Sequence, residues 1–100
     1  MNDPIFELLG KLQVTPALYI GSHSAEKLFM YLCGYKDALR DHSDFDISRY
    51  QDFIEYLYAK YGMGGGGHSW AWVLGQAAGG DAKGLDLFFA EMKAFQQSIA

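Results

Sequence analysis

The sequence predicts an all-α fold, a compact single domain of about five helices spanning residues 1–100. Two observations lead to this prediction. Apolar residues recur at intervals of three and four along several segments, which is the period of an amphipathic helix. These segments begin after capping residues or end before glycine, as helices do. A third observation is negative, because no segment shows the alternation of a convincing strand.

Composition restricts both the size of the fold and the class of partner that the protein can bind. A chain of 100 residues, half of them hydrophobic, is long enough for one core without metals or disulfides. The net charge of −4 disfavours direct binding to nucleic acid and favours a basic protein partner. The single cysteine allows no disulfide within the chain, and neither a secretory signal nor an 18-residue apolar run is evident. We therefore expect a cytoplasmic protein that does not enter the membrane.

Capping residues, prolines and a glycine mark the predicted boundaries of the elements in the first half of the chain. Asp3 and Pro4 begin a short helix that ends near Gln13. Pro16 opens an extended segment over residues 17–20, which turns at Gly21. Either of the two following serines can cap the next helix, which ends near residue 41.

That second helix carries two apolar faces, and we expect other helices to cover both. Leu28 and Leu32 belong to one face, whereas Phe29, Met30 and Cys33 belong to the other. Gly34 at its middle suggests a close helix crossing. The helix is therefore expected to lie at the centre of the fold.

The second half of the chain contains three further helices. A polar loop over residues 42–47 precedes a capping box, in which Ser48 and Gln51 satisfy each other's backbone N–H groups. This helix stops at Gly62, and a flexible glycine-rich loop follows near residues 62–68. Ser69 caps a helix over residues 70–77, and Asp81 is the predicted N-cap of the last helix.

No catalytic, cofactor-binding or metal-binding residues are predicted, so we expect a protein that is not an enzyme. The glycine run lacks the preceding strand and following lysine of a phosphate loop. The three histidines lie on separate loops without metal-ligand spacing. Cys33 lies among apolar residues, where a packed core thiol is a simpler interpretation than a nucleophile.

An acidic, tyrosine-bearing surface is the candidate binding site. Its charges fall at the end of the second helix, in the following loop and on the third helix. Carboxylates in such a group accelerate association with a basic partner, and tyrosines supply contact area. The alternative is a solvated face with ordinary capping carboxylates. The predicted partner-binding residues are Asp37, Asp41, Asp44, Asp46, Tyr50, Asp52, Glu55 and Tyr58.

The chain also resembles a known group of proteins over residues 16–95. The segment Pro16-Ala17-Leu18-Tyr19-Ile20-Gly21 is followed by a helix with Leu28, Leu32 and the pair Gly34-Tyr35. Further matches are Phe53, Tyr61-Gly62, Ser69-Trp70 and Leu87-Phe88-Phe89. This pattern is similar to that of small helical bacterial immunity proteins of interbacterial toxin systems, including contact-dependent growth inhibition. The glycine run departs from that pattern.

The resemblance implies a function as a toxin inhibitor. Such a protein would bind the toxin domain of its own strain, often a nuclease, and occlude its active or substrate-binding surface. It would act as a monomer or weak homodimer. The alternative hypothesis is a non-catalytic helical adaptor or an oligomeric subunit that needs a second chain to cover its aromatic residues.

Overall fold

A computed structural model describes residues 3–42, 46–62 and 68–98. Within these ranges the chain is all-α, with six helices rather than about five and no strand. The helices are α1 (Pro4–Val14), α2 (Pro16–Ile20), α3 (Ala25–His42), α4 (Ser48–Tyr61), α5 (Trp70–Ala78) and α6 (Asp81–Ser98). The radius of gyration, 13.1 Å, is that of one compact 100-residue domain.

The extra helix is α2, where an extended segment was expected. Pro16 occupies its first turn, where the missing N–H costs nothing, and Thr15 before it lies outside the helical region with φ −139°. Gly21 ends the helix in the left-handed conformation at φ 83°, and its N–H bonds to the carbonyl of Ala17 at 2.9 Å. Ile20 is buried, so packing stabilises a helix too short to persist alone.

The start of α3 is capped from two directions. The hydroxyl of Ser24 accepts the N–H of Lys27 at 3.2 Å. The carboxylate of Asp81 accepts the N–H of Glu26 at 2.9 Å and a hydrogen bond from the Ser24 hydroxyl. The prediction that Asp81 caps α6 is therefore wrong, because Asp81 is the first residue of α6 and caps α3 instead.

The capping box predicted for α4 is also wrong. Ile47 occupies the N-cap position without a side-chain hydrogen bond, and the carboxylate of Asp46 accepts the N–H of Ser48 at 2.9 Å. Gly62 ends α4 as predicted, in the left-handed conformation at φ 72°. Residues 43–45 of the predicted loop and residues 63–67 of the glycine run lie outside the described residues, and His42 is the last residue of α3.

Helices α5 and α6 pack against each other at a glycine contact. Ser69 caps α5 as predicted, accepting the N–H of Trp72 at 3.1 Å. A Cβ atom on Gly84 would lie 2.9 Å from the backbone nitrogen of Gly75. The two backbones therefore approach each other so closely that only glycine fits at this position in α6.

Aromatic rings join the helices at the centre of the core. Phe53 of α4 contacts Phe88 and Phe95 of α6, with ring centroids 5.3 and 5.2 Å apart. Trp70 of α5 stacks on Phe88 at 4.5 Å. Such pairs add stability beyond the apolar area that they bury. The largest fully buried side chains are Phe53, Phe88, Ile5, Leu9, Leu12, Leu28, Leu57, Leu74 and Leu85.

Helix α3 is buried on one face and only partly covered on the other, where full cover was expected. Leu28 and Leu32 are buried, but Met30 on the second apolar face is 71% exposed. Gly34 is exposed, and a Cβ atom added to it would meet nothing from a neighbouring helix within 4 Å, so the close helix crossing expected there does not exist. The partly covered face of α3 is where the candidate site lies.

Candidate protein-binding face

A groove of about 440 Å³ separates α3 from α4. Its floor is aromatic, because Tyr50 and Trp70 are 5% and 2% exposed and close it from below. The groove opens to solvent along its length. Its lining residues are Phe29, Cys33, Lys36, Tyr50, Gln51, Ile54, Glu55, Tyr58 and Trp70. We call this feature the α3–α4 groove.

Helical spacing explains the walls of the groove. Phe29, Cys33 and Lys36 follow one another at intervals of four and three, so they share one face of α3. On α4, Ile54 and Tyr58 are likewise four residues apart. Both walls therefore combine an apolar body with a polar rim, which is the composition of a surface that binds protein.

Exposed carboxylates lie on the two helices that form the groove and just before α4. On α3, Asp37 lies seven residues after Met30, and Asp41 lies four residues after Asp37. This spacing places all three residues on one exposed stripe. Glu55 lines the groove itself. The carboxylates predicted for partner binding that the structure finds exposed are Asp37, Asp41, Asp46, Asp52 and Glu55; Asp44 lies outside the described residues.

Arg40 reduces the negative charge at the end of α3. Its guanidinium nitrogens lie 3.0 Å from the carboxylate of Asp37 and 3.4 Å from that of Asp41. Exposed pairs of this kind contribute little to stability, since water screens them. Asp52 and Glu55 form no ion pair within the described residues, although the groove that Glu55 lines also contains Lys36.

The two tyrosines predicted as surface anchors have different positions. Tyr50 is buried, and this burial raises the pKa of its phenol far above the ordinary value. It supports the groove from below and offers little contact area. Tyr58 is half-buried in the groove wall, and its hydroxyl donates to the carbonyl of His68 at 3.2 Å. Of the two, Tyr58 can contact a partner directly.

A buried carboxylate on α6 was not predicted. Glu91 is 5% exposed, and it accepts hydrogen bonds from the hydroxyls of Tyr56, at 2.9 Å, and Tyr61. The ammonium of Lys60 lies 2.8 Å from the same carboxylate. Burial pushes the pKa of Glu91 upward, but the hydrogen bonds from Lys60, Tyr61 and Tyr56 outweigh it, so the pKa lies below its ordinary value.

The hydrogen bonds around Glu91 connect α4 to α6, and they also shift the pKa values of two of the donor side chains. The pKa of Lys60 is raised, chiefly by its hydrogen bond to Glu91. Burial and the hydrogen bond to Glu91 raise the pKa of Tyr61 to about 12. The sequence contained a signal for the burial of Glu91. This residue lies three positions after Phe88 and four before Phe95, on the same apolar face of the helix.

His23, His68 and Cys33, whose side chains the structure describes, have separate surroundings. Nε2 of His23 lies 2.7 Å from the carboxylate of Asp86, and His68 stacks on Trp72 with ring centroids 3.8 Å apart. The side chain of His42 is outside the described part of the chain. Within that part, no three ligand-type side chains are placed to hold a metal ion. Cys33 is partly exposed in the groove wall, so the expectation of a packed core thiol is wrong.

Comparison with known proteins returned no match among family models, curated proteins or solved structures. Over residues 3–42, 46–62 and 68–98, no helix is both long and apolar enough to cross a membrane.

Proposed function

We propose that this protein is a cytoplasmic immunity protein that binds and neutralises an antibacterial toxin domain of its own strain. The observation that carries the proposal is the α3–α4 groove, which is open and aromatic and is formed by two helices that carry exposed carboxylates. The resemblance to immunity proteins suggests the class of partner, and the net charge of −4 suggests its chemistry. Neutralisation requires binding only, so no bond is made or broken by this protein.

Charge supports a nuclease as the toxin. A nuclease holds its substrate through phosphate groups, so its substrate-binding surface must be basic. A protein of net charge −4, whose Asp52 and Glu55 form no ion pair within the part of the chain that the structure describes, is attracted to such a surface. Once bound, it would exclude the nucleic acid from that surface by charge and by volume.

The groove supplies the short-range part of the proposed contact. Apolar side chains of the toxin domain would enter between Phe29 and Tyr58, above the floor made by Trp70. Aromatic residues dominate the energy of many protein interfaces because they bury large areas with few rotatable bonds. The carboxylates would then increase the association rate, and the groove would slow dissociation.

A growth-rescue assay tests the proposal. We expect the toxin gene to neighbour the gene for this protein, and the toxin domain from that position is expressed in a bacterium that lacks both genes, with or without this protein. Rescue of growth together with co-purification of a stoichiometric complex is expected. If this protein neither rescues growth nor co-purifies with the toxin domain, the proposal is refuted.

Charge reversal tests the binding face. We expect the double substitution Asp52→Lys and Glu55→Lys to lower the association rate at least about tenfold at low salt, because electrostatic steering is lost. The matched control, Glu7→Lys and Asp86→Lys, changes the net charge equally but lies on α1 and α6. If the two double variants associated with the toxin domain at equal rates, we would conclude that α4 is not part of the interface.

A second candidate function is an oligomeric subunit or adaptor. Val14 and Leu18, at the junction of α1 and α2, are 79% and 80% exposed and form an apolar surface outside the groove. Light scattering across a range of protein concentrations separates the two candidates. A stable oligomer that Leu18→Glu dissociates, without any affinity for the toxin domain, would favour the second.

A further inference from the structure

A second pocket lies at the junction of α3, α5 and α6. Its volume is about 440 Å³, and glycine backbone forms much of its wall. The side chains that give it chemical character are Glu26, Trp72, Gln76 and Asp81. None of its lining residues is a lysine or an arginine. We call it the Trp72 pocket.

Trp72 lies at the border of this pocket, stacked against His68. His68 stacks in parallel on the indole, with an angle of 17° between the rings, and so covers one face. The side chain nevertheless remains 41% exposed, so its exposed surface belongs to the other face and the edge. An exposed indole has only two side-chain torsions to order on binding, which makes it an effective contact for a partner.

Two carboxylates give the pocket a negative charge. Glu26 is exposed, and its carboxylate forms no hydrogen bond or ion pair within the described residues. The carboxylate of Asp81 accepts the N–H of Glu26 and lies at the N-terminal ends of both α3 and α6, whose partial positive charge it offsets. The C-terminal end of α5, at Gly79, adds the negative end of a helix dipole.

We infer that the Trp72 pocket receives an arginine side chain of a protein partner. A guanidinium stacks on an indole face through its planar cation and donates in a fork to a carboxylate. Trp72 provides the face, and Glu26 provides the free acceptor. An anionic ligand would meet two carboxylates, and a purely apolar ligand would leave the carboxylate of Glu26 desolvated without a partner.

This inference deepens the proposed function, on which it rests for the identity of the partner. Glu26 and Met30 are four residues apart on α3, and Asp37 follows seven residues later, so one exposed stripe leads from the Trp72 pocket towards the acidic end of α3. A single basic partner could contact the Trp72 pocket and the α3–α4 groove together.

A peptide titration tests the pocket without the toxin domain. The probe is the capped peptide Gly-Arg-Gly, and its neutral control carries citrulline in place of arginine. The readout is the indole N–H resonance of Trp72 by NMR, with the backbone amide of Glu7, on α1 and outside both pockets, as internal reference. We expect the arginine peptide to shift the Trp72 signal saturably, while the citrulline peptide and the Glu7 signal show no such effect.

Substitutions identify the groups responsible. We expect Glu26→Gln to weaken peptide binding about fivefold by removing the charge, whereas Glu7→Gln, at an exposed glutamate on α1, leaves it unchanged. Equal binding of the arginine and citrulline peptides, or unchanged binding to Glu26→Gln, would overturn the inference. Failure of the growth-rescue assay alongside successful titration would refute the proposed function and leave the pocket assignment intact.

Discussion

The buried cluster around Glu91 makes the sharpest prediction, because one substitution removes its charge without changing its shape. Glu91→Gln keeps the size of the side chain and lets both tyrosine hydroxyls remain hydrogen-bonded, since a hydroxyl can also accept from an amide. What disappears is the charge that strengthens the bonds from Tyr56 and Tyr61. The variant therefore measures how much the charge of a buried carboxylate contributes to stability, rather than the cost of a cavity.

The magnitude follows from those two hydrogen bonds. A hydrogen bond to a charged group contributes about 1.5–3 kcal/mol and a neutral one about 0.5–1.5 kcal/mol. The loss is therefore about 1 kcal/mol for each tyrosine, or about 2 kcal/mol of the free energy of unfolding at pH 7. Lys60 is left out of this sum because its ammonium is exposed to water.

The pH dependence provides a second test. The pKa of Glu91 is lower in the folded protein than in the unfolded chain, so its contribution is complete above the unfolded pKa of about 4.3 and is lost as the pH falls through the folded value. The difference in stability between wild type and Glu91→Gln should thus stay constant from pH 7 to about pH 5 and shrink below that range.

Urea unfolding followed by circular dichroism measures both quantities. Glu55→Gln is the control, because it neutralises an exposed carboxylate on α4 and should change stability by less than about 0.5 kcal/mol. If Glu91→Gln were as stable as the control at pH 7, with the same dependence on pH, the burial and bonding argument for Glu91 would fail.

Two further predictions concern the helices themselves. Gly84→Ala should lower the free energy of unfolding by about 2 kcal/mol, because its Cβ would meet the backbone of Gly75 at 2.9 Å, while Gly34→Ala should raise it by about 0.5–1 kcal/mol in open space. Thermal melts of the two variants should shift in opposite directions, and a common direction would contradict the assigned packing. Asp81→Ala should cost about 1 kcal/mol by removing the cap of α3. Its control, Asp86→Ala, breaks only an exposed pair with a histidine and should cost less; equal losses in urea unfolding would refute the capping role.

Much of the candidate site could be read from the sequence as a set of exposed charges. The carboxylates of α3 and α4 that the structure describes are exposed, as predicted. The groove beside them was not predicted, because the second apolar face of α3, with Phe29 and Met30, was expected to be covered. Whether a neighbouring helix covers a face depends on how all the helices pack. The periodicity of apolar residues along one helix carries no information about that packing.

Local chemistry determined where most of the helices begin and end. Asp3, Ser69, Gly62 and Gly79 act on backbone groups a few residues away, so their effect is readable wherever they occur. The all-α class follows from the same kind of local information, because the helical period of apolar residues is a property of each segment.

Tertiary structure alone decided which residues from distant segments meet. Asp81 caps a helix that begins 56 positions earlier in the chain, at Ala25, and Glu91 is buried only because α4 brings three donors to it. Burial of a charge or contact between two glycines becomes favourable only when both partners are already in place. Such interactions are properties of the assembled core, and no segment taken singly carries them.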